Sequence, residues 1–312
     1  MTGLFLDADE EMAAVFDRVA RAGDPPVAVN RQARVPPDAV PALLAGHDFV
    51  IVDHTALPTE TMRACRGLKH VVFLGTGARS YMHPEELAAL GITVHTIKGY
   101  GDTAVAEHTV ALMWAGARGI ARMDRGIRAG EWPRTLGTQL TGKTLGLIGF
   151  GGIAAEVARI AGGSGMRVLA WNRTPRSAPG VSFVALDALL AESHVVSLHL
   201  LLTDETRGFL DAGRIARLRP GVILVNTARG ALVDDAAMIA ALGEGRIGHA
   251  ALDAYVREPL PPGHKLTTLD NVTLGAHCGF YTPEANETLI RRALDIAKGI
   301  AETSAEARLA ER

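Results

Sequence analysis

The chain has 312 residues, a length that suggests two domains of ordinary size. Its net charge of -2 gives it no overall basic character for binding nucleic acid or an anionic membrane, and no apolar run is long enough to span a bilayer. With only two cysteines and an acidic N-terminus unlike a signal peptide, the sequence argues against a secreted disulfide framework, and we expect a cytoplasmic protein.

The first hundred residues alternate between short β-rich runs and helical stretches. The predicted strands lie at 27–30, 48–53, 70–75 and 91–97, and the predicted helices at 38–46 and 83–90. Such alternation indicates βα units around a parallel sheet. A long helix is predicted from 104 to 130 with Asp102 as its N-cap, followed by a loop around 132–139.

A second and more regular alternating series begins at residue 143. Its predicted strands lie at 143–150, 167–172, 194–200, 221–227, 248–254 and 271–277, and its helices at 151–165, 186–192, 211–218 and 234–242. A last helix, 283–298, has an apolar face that we expect to pack on the first domain, and the final dozen residues read as a polar, frayed tail. The predicted fold class is α/β, with two doubly wound parallel-sheet domains.

A glycine motif follows the first strand of this second series. Gly149, Gly151 and Ala154 match the G-x-G-x-x-G/A pattern, with Gly152 and Ile153 opening the next helix. The motif allows a tight turn and a close approach of the backbone to a pyrophosphate, which the helix N-terminus would hold. The alternative is a glycine turn without a ligand, but the strand and helix on either side favour dinucleotide binding.

The end of the next strand is where such a domain selects its cofactor. NAD-binding domains place an acidic residue there for the ribose 2′-hydroxyl, whereas this chain has Asn172, Arg173 and Thr174. Arg173 could pair with a 2′-phosphate, so we predict a preference for NADP over NAD. The alternative is that Arg173 is a solvated surface residue and either cofactor binds.

Three polar residues, Arg229, Glu258 and His277, lie at or just beyond the carboxyl ends of later strands, where open α/β sheets bind ligands. Arg229 offers a bidentate cation for a carboxylate, His277 can transfer a proton near neutral pH, and Glu258 can orient an imidazole. Each residue alone would be read as structural or as a surface charge. Their order after a dinucleotide motif predicts a 2-keto acid dehydrogenase with these three as catalytic residues.

The sequence resembles the D-isomer-specific 2-hydroxyacid dehydrogenase family, which includes glyoxylate/hydroxypyruvate reductases and phosphoglycerate dehydrogenases. The motifs that carry the resemblance are GDTAVAEHTVALMWAGAR (101–118), GKTLGLIGFGGIA (142–154), LHLLLTDETRG (198–208), VNTARGALVDDAA (225–237), LDAYVREPLPPGHKL (252–266) and NVTLGAHCGF (271–280). The resemblance implies a Rossmann-type dinucleotide-binding domain at 101–279, a flavodoxin-like substrate domain at 1–100 with 280–312, and a homodimer. It also implies that Arg229, Glu258 and His277 are the family's catalytic residues.

The predicted contacts with small molecules follow from these motifs. The predicted cofactor contacts are Thr103, Gly149, Gly151, Gly152, Ile153, Asn172, Arg173, Thr174, Thr206, Thr227, Ala228, Asp253 and Gly279. The predicted substrate contacts are Thr76, Gly77, Arg229 and His277. Of these, the resemblance places Asp253 and Thr103 near the nicotinamide, Thr206 near the phosphates, and the backbone at Thr76 and Gly77 at the substrate carboxylate. Since the eleven histidines show no ligand spacing, we predict no metal site.

Several positions depart from the family pattern. Ala276 and Leu201 replace prolines that are usual there, and Arg79 stands where an aspartate is common. Arg79 would favour a substrate with a second negative group if it faces the substrate, and would have no effect on specificity if it faces water. Trp132 and Tyr281 fit a substrate site, the core or an interface equally well. For Cys278, beside His277, we expect a buried thiol.

Two other functions remain open from sequence alone. The same scaffold could oxidise phosphite or another small anion, although Glu258 argues against formate, because formate-specific members of the family lack it. A cofactor-sensing binding protein, like the related transcriptional corepressors, is the second alternative, but the chain has no extended tail or basic segment for such partners. The predicted partners are therefore a small 2-keto or 2-hydroxy acid and a second copy of the chain, without nucleic acid or a membrane.

Overall fold

The computed structural model describes residues 1–310, with side chains to residue 306, and the chain divides into two compact units. Unit 1 contains Met1–Gly101 and the segment that begins at Thr282, and unit 2 is Asp102–Tyr281. The strands of unit 1 are β1 Gly3–Phe5, β2 Val27–Val29, β3 Phe49–Val52, β4 His70–Phe73 and β5 Thr93–Thr96. Its helices are α1 Glu10–Val19, α2 Val40–Leu43, α3 Thr59–Arg63, α4 Pro84–Ala89 and, after unit 2, α11 Pro283–Ala310.

The sheet of unit 1 has the order β2-β1-β3-β4-β5, and every pairing is parallel. All four residues of the central strand β3 are buried, because helices cover both faces of the sheet. Phe49 and Ile51 point to the face packed by α1 and α11, and Val50 and Val52 to the face packed by α2, α3 and α4.

Helix α11 packs within unit 1 through Leu289, Ile290 and Leu294, which are fully buried. Arg291 extends this attachment, since its guanidinium binds both oxygens of Asp24 at 2.7 Å in a nearly buried ion pair. The helix continues to Ala310, so the prediction of a frayed tail over the last dozen residues is wrong as far as the described residues extend. The last dozen residues are polar, and a polar composition occurs both in frayed tails and at the solvated end of a helix.

Unit 2 contains seven strands and six helices. The strands are β6 Thr144–Ile148, β7 Arg167–Trp171, β8 Val181–Phe183, β9 Val195–Leu198, β10 Val222–Asn226, β11 Ile247–Leu252 and β12 Val272–Leu274. The helices are α5 Asp102–Arg118, α6 Ile120–Arg128, α7 Gly152–Gly163, α8 Leu186–Glu192, α9 Ala212–Arg217 and α10 Asp235–Gly243.

The sheet of unit 2 is parallel throughout, with the order β12-β11-β10-β9-β6-β7-β8. One face packs against α5 and α7, and the other against α8, α9 and α10. The chain leaves β6 toward β7 on one side and later returns to β9 on the other, which makes the carboxyl end of β6 a topological switch point. The predicted fold class, two doubly wound parallel-sheet domains, is confirmed.

Local differences from the predictions have identifiable causes. Strands β1 and β8, of three residues each, were not predicted. Helix α1 was also missed, although Asp9 accepts a hydrogen bond from the amide of Met12 as its N-cap.

The predicted long helix is interrupted at Gly119, which has φ of 63° and separates α5 from α6. Asp102 is the first residue of α5 and not a cap before it. Among the described residues, no helix has the length and apolar character needed to cross a membrane.

Candidate active site

The glycine loop after β6 leaves its backbone open to a ligand. Gly149 has φ of 89°, and a Cβ there would lie 2.6 Å from the carbonyl oxygen of His199, so a side chain would be both strained and obstructed. A Cβ at Gly151 would meet nothing within 4 Å, so this residue faces open space. Gly151 also caps α7 without a side-chain hydrogen bond, which leaves the first amides of the helix without a side-chain acceptor. These features fit a pyrophosphate held at a helix N-terminus.

The helix N-terminus also has an acidic neighbour. The carboxylate of Asp102 lies so close to Gly152 that any side chain at this glycine would collide with it. Ile153 is partly buried in the apolar cluster beneath the loop and contributes packing. The glycine at position 152 therefore has a steric reason within unit 2, independent of any ligand.

The segment after β7 contains the predicted cofactor-selecting residues. Asn172 accepts a hydrogen bond from the amide of Phe150 at 3.1 Å and donates to the carbonyl of Thr174 at 2.8 Å, so its side chain ties this segment to the glycine loop. Arg173 is 81% exposed and forms a 2.7 Å ion pair with Glu205, itself 76% exposed. The guanidinium is thus next to a residue that binds the glycine loop and is available from solvent, but it has a competing carboxylate.

His277 and Glu258 are brought together as predicted. The Nδ1 of His277 lies 2.6 Å from one oxygen of Glu258, and the other oxygen accepts the amide of Tyr255 at 2.8 Å. Among residues 1–310, His277 is the one non-glycine residue with a positive φ, at 55°. This strained conformation, typical of functional sites, turns the imidazole toward Glu258 and leaves its Nε2 as the free ring nitrogen.

The environment of Glu258 favours its ionised form. Burial alone would raise the pKa of its carboxyl, but the hydrogen bonds from His277 and from the Tyr255 amide, with the nearby positive charge of Arg229, lower that pKa below its usual range. Tyr255 is fixed in turn by its hydroxyl, which donates to the carbonyl of Gly275 at 2.7 Å. The carboxylate is therefore a charged and positioned acceptor for His277.

Arg229 lies in the turn after β10, which Asn226 organises. The Asn226 side chain donates to the Arg229 carbonyl at 2.9 Å and accepts the Ala228 amide at 3.0 Å. The guanidinium of Arg229 donates to the carbonyl of Ala228 at 2.8 Å, so part of its fork binds the backbone of the preceding residue. The hydroxyl of Thr227 lies 2.7 Å from that of Thr109 in α5 and anchors the same turn.

Asp253, at the end of β11, organises the turn that carries His277. It is 2% exposed and accepts the amides of Gly279 at 2.9 Å and Cys278 at 3.2 Å. Its oxygen Oδ1 also lies 3.2 Å from the Nε2 of His108. Burial alone would raise the pKa of the Asp253 carboxyl, but His108 and the two amides lower it, so the group is held as a carboxylate.

Other predicted residues occupy different surroundings. The hydroxyl of Thr206 donates to the carbonyl of Leu201 at 2.6 Å and accepts the amide of Thr203 at 2.8 Å, so it holds its own loop together. Thr103 is exposed in the first turn of α5. In unit 1, Thr76 is exposed and Gly77 partly exposed just after β4.

Some of the remaining expectations are corrected or refined. Cys278 is exposed, and the expectation of a buried thiol is wrong, because the turn at Gly279 is held by backbone contacts to Asp253. Trp132 is 81% exposed, which removes the core alternative, and Tyr281 is 39% exposed. Arg79 is exposed and paired with Glu85, so its charge is already balanced locally.

Sequence reasoning missed three residues that shape this site: His108, Asn226 and Tyr255. His108 and Asn226 lie inside motifs that were recognised, but no local pattern indicates the partners of their side chains. Tyr255 lies within the segment of Glu258, and its spacing from that glutamate was the available signal. Nothing in the sequence specifies that its hydroxyl binds Gly275.

A doubly wound sheet with a glycine loop at its switch point, and an arginine and a histidine–glutamate pair beyond nearby strand ends, defines a class of dinucleotide-dependent oxidoreductases. Comparisons with known proteins give the family. The profile described as "D-isomer specific 2-hydroxyacid dehydrogenase, NAD binding domain" matches residues 110–279. The chain belongs to the D-isomer specific 2-hydroxyacid dehydrogenase family, so the predicted family is confirmed.

Individual relatives agree with this assignment. The chain is 37% identical over 243 residues to a D-3-phosphoglycerate dehydrogenase of Archaeoglobus fulgidus, covering 76% of this chain and 46% of the relative. It is 40% identical over 224 residues to a glyoxylate reductase of Aeropyrum pernix, covering 68% and 66%. A hydroxypyruvate reductase of Thermotoga maritima is 37% identical over 242 residues, covering 76% and 79%. The match thus spans about half the length of the first of these relatives and slightly under two thirds of the second.

Solved structures share the whole architecture. The TT0316 protein from Thermus thermophilus has a TM-score of 0.84 at 34% identity, covering 94% of each chain. The apo-structure of D-lactate dehydrogenase from Escherichia coli has a TM-score of 0.86 at 26% identity, covering 97% of this chain and 98% of that one. A nicotinamide cofactor and the chemistry of 2-hydroxy and 2-keto acids are therefore properties of the family to which this chain belongs.

Proposed function

We propose that this protein catalyses reversible hydride transfer between a nicotinamide cofactor and a 2-keto acid, giving a D-2-hydroxy acid. The observation that carries the proposal is the 2.6 Å contact between His277 Nδ1 and an ionised Glu258, which leaves Nε2 to exchange a proton with the substrate oxygen. Arg229 would bind the substrate carboxylate after its guanidinium releases the backbone carbonyl of Ala228. The cofactor, when bound, supplies or accepts the hydride.

The proposed cofactor contacts lie in unit 2, and the proposed backbone contacts at Thr76 and Gly77 lie in unit 1. The glycine loop and the open space at Gly151 support the first assignment. The backbone at Thr76 and Gly77, just beyond a parallel strand in unit 1, supports the second as a contact for the substrate carboxylate. The relatives named glyoxylate reductase and hydroxypyruvate reductase make small 2-keto acids the first substrates to test, with larger ones also open.

We also propose that NADP is preferred over NAD. No acidic residue directly follows β7, and the exposed guanidinium of Arg173 is placed in the same segment as Asn172, which binds the glycine loop. A 2′-phosphate would compete with Glu205 for this guanidinium and would gain a charge-assisted hydrogen bond. An arginine that binds no cofactor would be equally exposed. Turnover with NADPH compared with turnover with NADH therefore decides whether Arg173 contacts a 2′-phosphate.

A second copy of the chain is the proposed protein partner. Large apolar side chains are exposed along α6 and the segment that follows it: Ile120, Ile127, Trp132 and Leu136. Apolar side chains clustered in one exposed segment are typical of an interface. Sedimentation of the purified protein should give a dimer, and a monomer at all concentrations would contradict the proposed partner.

The free thiols of Cys65 and Cys278 support a reducing, cytoplasmic compartment.

The proposed reaction is tested by following oxidation of NADPH and of NADH against a panel of 2-keto acids that includes glyoxylate, hydroxypyruvate and pyruvate. Turnover with at least one acid, faster with NADPH, is expected. Turnover that is equal with both cofactors would reject the NADP preference and keep the reaction. Cofactor binding without turnover on any acid would reject the reaction and favour another reduced substrate or a sensing role.

A further inference from the structure

Three potential metal ligands converge beneath the turn that carries His277. The Nε2 of His108, a carboxylate oxygen of Asp253 and the Sγ of Cys278 all lie within 4.8 Å of one another. They come from α5, from the end of β11 and from the turn after β12, which explains why no ligand spacing is visible in the sequence. We propose that these side chains form a binding site for Zn²⁺, and that zinc bound there inhibits the enzyme.

The two distances from Asp253 are close to those around a tetrahedral ion. Asp253 Oδ1 is 3.2 Å from His108 Nε2 and 3.9 Å from Cys278 Sγ. Zinc bonds of about 2.0 Å to nitrogen or oxygen and about 2.3 Å to sulfur place tetrahedral ligand atoms about 3.3 to 3.6 Å apart. The Asp253 distances are within about 0.5 Å of these values, and all three ligand atoms already lie within 4.8 Å of one another, so a movement of the exposed Cys278 side chain would complete the site.

The donor set and its surroundings favour zinc over a hard cation. One imidazole nitrogen, one carboxylate oxygen and one thiolate are ligands that Zn²⁺ prefers, whereas magnesium and calcium select oxygen. The second oxygen of Asp253 accepts the Gly279 amide at 2.9 Å, which orients the carboxylate as an outer-shell contact does in zinc sites.

The contacts inside the cluster are incomplete without an ion. The Nε2 of His108 is buried and makes no hydrogen bond of acceptable angle, although it lies 3.2 Å from the Asp253 carboxylate. Cys278 Sγ is at 3.9 Å, near the limit for a sulfur hydrogen bond. A bound ion would satisfy both ligands, and the thiol proton would be released to solvent as the Zn–S bond forms.

The inhibitory effect rests on the proposed function. Asp253 and Gly279 are proposed cofactor contacts, and Cys278 is bonded directly to His277. Zinc would hold the 277–279 turn in one arrangement and occupy the space beside Asp253, so it should compete with the reduced cofactor. With three protein ligands the ion would keep a fourth position for water, as an open zinc site does.

The binding test uses equilibrium dialysis of the purified full chain with zinc chloride and, in parallel, the absorption spectrum with Co²⁺. One zinc per chain and a thiolate-to-cobalt charge-transfer band are expected. Cys278→Ala should abolish the band and weaken zinc binding by at least about 100-fold, more than the loss of an outer-shell partner. Cys65→Ala removes the other, buried thiol and should change neither. No stoichiometric zinc, or binding unchanged in Cys278→Ala, would overturn the site.

The second test is inhibition of turnover with a 2-keto acid. Zinc should raise the KM for the reduced cofactor in the parent, whereas Cys278→Ala should keep its basal activity and lose the sensitivity. Inhibition that persists in Cys278→Ala would overturn the inhibitory role. A protein that turns over no keto acid would contradict the proposed function alone, because dialysis and the cobalt spectrum still decide the metal site without any activity.

Discussion

Each unit contains a histidine whose Nδ1 meets a carboxylate beyond the end of a strand. In unit 1 His54 lies 2.7 Å from Asp53, and in unit 2 His277 lies 2.6 Å from Glu258. The two pairs look alike in distance but differ in electrostatics. Burial raises the pKa of Asp53 and the hydrogen bond from His54 only partly offsets it, whereas the contacts around Glu258 outweigh burial and lower its pKa.

The difference comes from the neighbours of each carboxylate. Asp53 is 16% exposed and close to the negative charges of Asp7 and Asp9, which also raise its pKa. Glu258 has a backbone amide and the charge of Arg229 beside it. A short histidine–carboxylate distance is therefore not sufficient evidence for a catalytic pair, and the charges around the carboxylate discriminate between the two.

The largest expected effect separates the two histidines. His277→Ala should lower kcat by about 1000-fold, because it removes the proposed proton donor, while the affinity for the cofactor is nearly kept. His54→Ala is the matched control and should lower kcat far less. Steady-state kinetics with the best keto acid and fluorescence titration of the cofactor measure both. Equal losses in the two variants would remove the distinction between the pairs.

A smaller loss of turnover is expected when the carboxylates are neutralised. Glu258→Gln should lower kcat by about 100-fold, within the range for general acid–base catalysis, since the charge-assisted hydrogen bond to His277 Nδ1 is lost. Asp53→Asn is the control and should lower kcat far less. Steady-state kinetics with the best keto acid measure both variants. An unchanged kcat in Glu258→Gln would reject its proposed role.

Arg173 and Glu205 form a third ion pair, which differs from the two histidine–carboxylate pairs because both of its charges are solvated. Arg173→Gln should raise the KM for NADPH by about tenfold, equivalent to about 1.4 kcal/mol, and leave the KM for NADH nearly unchanged. Glu205→Gln is the matched variant and should lower the KM for NADPH, because it removes the competing carboxylate. Equal changes for both cofactors would show that Arg173 does not contact a 2′-phosphate.

The smallest effects concern stability and have opposite signs. The folded pKa of Glu258 is lowered, so its stabilisation is present above its usual pKa near 4.5 and is lost as the pH falls through the folded value. The folded pKa of Asp53 is raised, so its ionisation opposes folding as the pH rises above its usual value near 3.8.

At neutral pH, Glu258→Gln should therefore lower the free energy of unfolding, and Asp53→Asn should maintain or increase it. Denaturant titrations at neutral pH and near pH 4 measure both variants. Losses of the same sign and size at neutral pH would contradict the electrostatic distinction between the two carboxylates.

Much of the fold and the identity of the central residues could be predicted from sequence. Strands such as β6 and β10 are continuous apolar runs, and Gly149 and Gly152 after β6 occupy positions where a side chain would collide with neighbouring atoms. The pairing of His277 with Glu258 was predicted because both follow strands whose carboxyl ends share one edge of the sheet.

The remainder depends on tertiary contacts that leave no local pattern. The exposure of Cys278 depends on where Asp253 holds its backbone. The contact of His108 with Asp253 joins residues far apart in the chain. Sequence therefore identifies strand ends that carry polar residues, whereas the hydrogen-bond partners and charges there require the structure.

The proposed reaction transfers a hydride to the C2 carbon of a keto acid and gives a product with D stereochemistry at C2. The most direct measurement incubates the protein with a 2-keto acid and NADPH or NADH deuterated at C4 of the nicotinamide, and then analyses the product by NMR and chiral chromatography. We predict a D-2-hydroxy acid with deuterium at C2, formed by the parent and not detectably by His277→Ala. An L product, or a 2-hydroxy acid without deuterium from cofactor labelled on either face of the ring, would contradict it.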